Sequence, residues 1–224
     1  MEDRRTAGLY LELTNWTSAR YADERVPMVT ASPGVERATW WENVCPGRTD
    51  LPRVLDDSSL LGVFETDDGF RPPAPVDGIT GIHFRRTPRP GQGRLTGRPT
   101  LGLSLVLISP RRPEQAQALR DWADFVHIRH IAEAGVPGFT MITPYENATG
   151  GDPRFLHFYE LDTDDPEPAF KRMTPAVSER IGEPGTEAWN AWAMTPELHI
   201  WYVNSFRRLG ERQQAESDER EHTA

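Results

Sequence analysis

The 224-residue sequence contains one cysteine, Cys45, and one lysine, Lys171. A single thiol excludes an intrachain disulfide and any zinc or iron–sulfur centre built from cysteines. Positive charge is short: 34 Asp and Glu against 25 Lys and Arg give a net charge of -9. The arginines are scattered rather than gathered into a basic stripe, so nucleic acid is not an expected partner, and their dominance over lysine resembles translation from GC-rich DNA. Long apolar runs are absent. The longest, Leu101 to Ile108, falls far short of the roughly 20 residues that cross a bilayer, so no membrane partner is expected. Met1 to Ala7 is charged and leads into an alternating segment rather than an apolar core with a cleavage site, which predicts a cytoplasmic location. There is no Ser–His–Asp order and no phosphate-binding glycine loop; Gly91-Gln92-Gly93 opens no helix.

What is present is an order of elements that occurs twice. Leu9 to Leu13 alternates as a strand, an amphipathic segment runs from Thr17 to about Ala31, Ser32-Pro33-Gly34 turns the chain, and Val35 to Asn43 reads as a second strand. The order returns as the apolar strand Leu101 to Ser109, a helix over Pro113 to Ala134, the turn Val136-Pro137-Gly138, and a strand over Phe139 to Asn147. Gly34 to Glu42 and Gly138 to Glu146 are equally spaced, each ending in Glu-Asn after an aromatic, Trp41 or Tyr145. Leu60 to Asp67 echoes Phe155 to Asp162, and Gly81 to Arg86 echoes Val203 to Arg208. Each half therefore predicts the βαββαβ unit of ferredoxin-like domains. The second has room for helices over Pro166 to Ile181 and Glu187 to Ala193; the first has only the proline-rich Gly69 to Gly78 there, so it lacks its second helix. The predicted organisation is a first repeat over residues 7–86, a Pro- and Gly-rich linker over 87–100, a second repeat over 101–209 and a disordered charged tail over 210–224.

Asp121 to Phe139, DWADFVHIRHIAEAGVPGF, resembles the helix-to-strand signature of the dimeric α+β barrel superfamily, particularly its EthD-like members, in which a motif like D-W-Y-D-x-x-H-I-P precedes a turn like I-P-G-F. Asp121, Trp122, Asp124, His127 and Ile128 fall in step, Arg129 stands where the family has proline, and Pro137-Gly138-Phe139 follows after about two extra residues. In the first half Arg25 or Val26 stands at the histidine position, and Pro27 matches the family proline. The resemblance implies an α+β fold in which two ferredoxin-like units, here in one chain, pack sheet to sheet into a barrel that holds a small ligand. It also implies a setting in bacterial secondary metabolism. Activities within the superfamily range over cyclases, cofactor-free monooxygenases, isomerases and haem enzymes, and fold does not choose among them.

His127 shares a helix face with Ala123, Ile131 and Ala134, so its imidazole borders apolar surface, where it can act as acid or base near neutral pH. The competing reading is a histidine that only bonds a backbone carbonyl. His130 and Glu133 complete H-x-x-H-x-x-E on one flank, but two histidines lack the further ligands a metal needs, so no metal is expected. Arg25 falls near the position of His127 in the other half; it can serve a carboxylate or enolate, or simply pair with Asp23 or Glu24. Strand alternation puts Phe155, His157, Tyr159 and Leu161 on one face, and the polar-tipped aromatics His157 and Tyr159 suit a cavity. The adjacent Trp40 and Trp41 must point to opposite faces, so one of them faces the cavity. With Tyr145 and Trp122 they predict an aromatic-lined pocket.

The expected catalytic residues are His127, His130 and Arg25, and the expected substrate-binding residues are Trp40, Trp41, Trp122, Tyr145, His157 and Tyr159. The expected function is proton-transfer chemistry without a cofactor, such as cyclisation, isomerisation, dehydration or oxygenation, on a small hydrophobic, aromatic or polyketide-like compound by a monomer or weak homodimer. Two rivals remain: a haem enzyme using His127, His130, His157 or His199, and a pocket that binds a metabolite without turning it over. The loop Cys45 to Ser59 is expected to pack on the first half or border its cavity mouth, with the open site toward the second half.

Overall fold

A computed structural model describes residues 6–213. Nine strands form: β1 (Gly8–Thr14), β2 (Val35–Asn43), β3 (Leu60–Thr66), β4 (Ile79–Arg86), β5 (Gln92–Gly93), β6 (Gly102–Pro110), β7 (Phe139–Asn147), β8 (Phe155–Leu161) and β9 (Leu198–Gln213). Eight of them close an antiparallel barrel in the order β4-β1-β3-β2-β9-β6-β8-β7, with β7 meeting β4 again. One seam is the long β9, whose successive stretches pair with β6 and β2; the other is the short pairing of Phe84–Arg86 with Tyr145–Asn147. A single chain thus completes the ring.

Alternation along each strand sorts side chains into two cores. Leu9, Leu11, Leu13, Leu61, Val63, Leu103, Leu105, Leu107, Leu156 and Phe158 point inward and fill the barrel together with Trp41, Phe84, Tyr145, Tyr202 and Phe206. The outward faces are covered by helices. Residues 18–30 form one, started by Thr17, whose hydroxyl accepts the Arg20 N–H, and interrupted by a π-helical turn at Tyr21–Arg25. Residues 113–134 form another, opened by Pro113 and ended by Gly135 at φ 62°, a left-handed cap that glycine adopts freely. It too has a five-residue π turn, Ala123–His127. A π turn inserts one extra residue and rotates the following face. Pro166–Ile181 and the short Glu187–Ala193 complete the helical layer over the second half.

Over the first half no helix follows β3. Phe70, from the proline-rich segment, replaces it: 1% exposed, it packs against Tyr10 at 5.5 Å and edge-on to His83 at 5.1 Å. The Cys45 to Ser59 loop does not cover that face; of its two expected places it takes the one at the barrel mouth. The loop caps one barrel mouth, with Leu55 against the inner core and the N–H groups of Val54 and Leu55 donating to the Trp201 carbonyl. Its buried Arg48 pairs with Glu167 of the Pro166–Ile181 helix, so the loop ties the halves together. The other mouth carries Arg37 and Glu65, paired at 2.6 Å, with Glu160 accepting the Thr100 hydroxyl.

Two boundaries also differ from expectation. Gln92 and Gly93, within the expected linker, pair with Ile142 and Met141 of β7. Residues 210–213, assigned to the tail, continue β9, held by pairing with β2; residues 214–224 lie outside the described residues. No helix among the described residues is long and apolar enough to cross a membrane.

Because Phe70 stands in for a helix, Phe70→Ala should destabilise the fold by about 3–5 kcal/mol. Val54→Ala, at a side chain 49% exposed, should stay within about 0.5 kcal/mol. Urea unfolding of both variants checks the assignment.

Candidate functional site

The two helix–sheet layers differ in how their buried polar groups are satisfied. In the first half Glu12 points outward from β1 beneath the π turn. Arg25 donates from Nε to Glu12 Oε1 and Oε2 at 2.9 and 3.1 Å and from a terminal nitrogen as well, while the Tyr21 hydroxyl donates to Oε2 at 2.9 Å. Arg25 is 2% exposed and Glu12 fully buried. Burial works against the Arg25 charge, and the Glu12 carboxylate more than restores it, so the guanidinium holds its proton more tightly than usual. Glycines provide the space: a Cβ at Gly62 would lie 1.8 Å from the Tyr21 hydroxyl. Arg25 therefore pairs with Glu12, neither with Asp23 or Glu24 nor with an open pocket.

In the second half the π turn ends at His127. Its ring stacks on Trp192 at 5.1 Å and lies 4.9 Å from Trp122. His127 Nδ1 lies 3.0 Å from the Trp192 carbonyl, and since a carbonyl only accepts, this nitrogen carries the proton and leaves Nε2 with its lone pair. Trp192 Nε1 donates back to the His127 carbonyl at 3.0 Å, and Trp122 Nε1 to the Ala191 carbonyl at 2.7 Å. These bonds fasten the Glu187–Ala193 helix to the longer one. Burial lowers the basicity of His127, opposed by the Trp192 carbonyl. His130 lies one turn on, its Nδ1 buried without a partner. Among the described residues no group of three or more His, Cys, Asp or Glu is placed to hold a metal.

His157 and Tyr159 do not face the barrel interior as expected. Leu156 and Phe158 occupy that side, and His157 and Tyr159 point to the helices, both buried. There they meet Asp124, which sequence reasoning did not select. Asp124 is 3% exposed; Oδ1 lies 3.8 Å from His157 Nε2 and Oδ2 lies 3.1 Å from Arg89, but neither oxygen has an aligned hydrogen-bond donor. Burial pushes the Asp124 carboxyl up to about 6, with Arg89 opposing. Burial drives His157 down to about 3, so it is neutral beside the carboxylate. The Tyr159 phenol is raised by burial and by Asp124. The sequence did hold a signal: Asp124 precedes His127 by three residues, one turn of the same helix.

The former linker crosses this seam as a strap. Arg89 reaches Asp121 at 2.6 Å as well as Asp124, its guanidinium lies 4.8 Å from the Phe125 ring, and Gln92 Nε2 donates to the Asp124 carbonyl at 2.6 Å.

Trp41 and Tyr145 do point inward, Trp41 donating to Thr39 Oγ1 at 2.9 Å, and Trp40 points outward against Gly210. The inner core is filled by these side chains, so the expected aromatic pocket does not lie there. Two clefts open on the surface instead. One of about 270 Å³ runs between the strap and the end of the 113–134 helix, past Gln92, Arg94, Ile131, Phe139 and Ile142; one of about 210 Å³ lies at the mouth near Leu55. Neither is lined by a histidine or a tryptophan. His199, on β9, lies 5.9 Å from Trp201.

No protein-family model matches the sequence, and no curated protein does. Solved structures match over nearly the whole chain. An anthrone oxidase-like protein is 13% identical, with 96% of this chain and 95% of that one covered at a TM-score of 0.56. A provisionally assigned monooxygenase from Fusobacterium nucleatum subsp. nucleatum is 5% identical, with 94% and 96% covered at 0.53. A major regulator of staphylococcal pathogenesis is 9% identical, with 90% and 99% covered at 0.50. Such likeness shows the fold alone, and the names span enzyme and regulator.

Two stability experiments probe the layers. Glu12→Ala leaves Arg25 buried and uncompensated and should cost about 3–5 kcal/mol. Asp124 behaves oppositely. Its folded carboxyl binds the proton more tightly than the unfolded one, so stability is lost as pH rises from the ordinary carboxylate range through about 6. Asp124→Asn should therefore be more stable than wild type at pH 7.5, by roughly 1–3 kcal/mol, with the gap closing near pH 4. Urea titrations at both pH values measure it.

Proposed function

We propose that this chain is a small-molecule enzyme that needs no metal or organic cofactor and performs proton-transfer chemistry on an aromatic or polyketide-like compound. The observation that carries the reading is Asp124, a buried carboxylate without aligned donors, destabilising at neutral pH and set beside a neutral histidine. A group kept at a cost to stability, with its acidity near the working pH, suits a general base. In this role an Asp124 oxygen takes a proton from an activated C–H. The electron pair of that bond moves to the substrate carbonyl oxygen, forming an enolate. The Tyr159 hydroxyl can donate to that oxygen and Arg89 offsets its charge. Isomerisation, aldol-type cyclisation and dehydration share this step, as does oxygenation with dioxygen as oxidant. His127 and Trp122 hold the Glu187–Ala193 helix against this layer.

The haem alternative has less support, because His157 is occupied against Asp124 and neither of the two clefts described is lined by a histidine. A carrier without turnover would gain nothing from a penalised carboxylate. We also infer that the halves are tandem EthD-like copies of one ferredoxin-like unit. The strand orders β4-β1-β3-β2 and β9-β6-β8-β7 correspond, each first helix has a π turn, and Asp67 N–H to Gly34 O at 2.9 Å matches Asp162 N–H to Gly138 O at 3.0 Å.

Anthrone, with a C–H acidified by its ketone, is a direct probe. In D2O the protein should accelerate exchange or consumption of that proton with a limb rising through about pH 6, and Asp124→Asn should lower the rate about 10²–10⁴-fold. Wild-type rates in that variant overturn the reading, and a strong Soret band in the purified protein overturns its cofactor-free form.

A further inference from the structure

The cleft between the strap and the 113–134 helix is built on backbone. Gly93, Gly135 and Gly138 line it, all at positive φ. A Cβ placed on Gly135 would meet no atom within 4 Å, so no side chain fills the hollow from that side. The floor is apolar: Ile131 and Ile142 are buried and Phe139 half-buried, and the cleft holds about 270 Å³, just below the usual range for small-molecule pockets. Its charged rim residues are not equivalent. Asp162 lies 3.5 Å from Arg98. Arg94 is fixed through its backbone N–H, which donates to the Thr140 carbonyl at 2.6 Å, but its exposed guanidinium has no ion pair among the described residues. In a chain of net charge -9, an unpaired guanidinium beside an apolar hollow is an anchor for a planar anion.

Residues of the cleft also contact the layer that holds Asp124. Gln92 lines it and donates to the Asp124 carbonyl, Ile142 is the cross-strand partner of Tyr159, and Phe139 packs edge-on to Tyr159 at 5.8 Å. We propose that this cleft binds a one- or two-ring aromatic compound carrying a carboxylate or similarly acidic oxygen, with the ring on Ile131, Phe139 and Ile142 and the anion on Arg94. That the bound compound is the substrate rests on the proton-transfer reading; that the cleft binds it does not.

The test uses 2-naphthoate and its neutral analogue 2-naphthamide, titrated calorimetrically against the full chain. Arg94→Gln should weaken naphthoate about tenfold, the effect of one charge-assisted contact, and leave naphthamide unchanged. Ala132→Trp, on the half-buried helix flank of the cleft, should abolish binding of both, with unfolding curves confirming that each variant is folded. No binding of naphthoate to wild type, equal binding to Arg94→Gln, or full binding to Ala132→Trp overturns the proposal. If naphthoate binding follows these variants while anthrone exchange ignores Asp124→Asn, the cleft stands and the proton-transfer reading falls. The reverse pattern removes the cleft alone.

Discussion

Because β9 pairs with β6 and β2, and β4 meets β7, backbone hydrogen bonds run around a closed ring. A ring of eight strands leaves an interior only wide enough for side chains, and here fifteen residues occupy it. Closure therefore decides where chemistry can occur. With the interior filled, a ligand must lie between the sheet and its outer layer, and what each helix presents to the sheet becomes the question.

The two layers answer it differently. Beneath the first helix the buried charges are matched: the Glu12 carboxylate takes three donors from Arg25 and Tyr21, and glycines yield space to the ring. Such an arrangement is rigid and closed, since each partner would be costly to leave unpaired. Beneath the second helix the equivalent π turn brings Asp124 and His157 near each other without completing their bonds. The same geometry thus gives a structural ion pair in one half and a strained acid–base pair in the other, and the difference rests on a few residue choices.

Strand positions were readable because alternation and Pro–Gly turns punctuate the chain, and the helices over residues 18–30, 113–134 and 166–181 followed from their spacing. Strand facing was not readable. In a barrel covered by helices both faces are apolar, so Phe155-Leu156-His157-Phe158-Tyr159 offers no polar side to fix the orientation, and the polar tips pointed to the wrong face. Arg25 misled for another reason: its partner Glu12 sits on a strand thirteen residues earlier, whereas Asp23 and Glu24 are its neighbours in sequence. Asp124 was hidden because a carboxylate on a charged helix reads as solvated until its burial is seen. His127 was found, but what it does with Nδ1 matches the plainer of its two readings.

The long β9 also constrains how the chain reaches this structure. Its contacts with β2 join residues as distant as Arg37 and Gln213, 176 positions apart, so during synthesis the first four strands and their helix must wait, with one seam open, until the final described strand emerges. Contacts of such separation slow folding and leave strand edges exposed meanwhile. The half that waits is the one whose buried ion pair and Phe70 plug lie within its own strands, whereas the half bearing Asp124 is completed by the last of them.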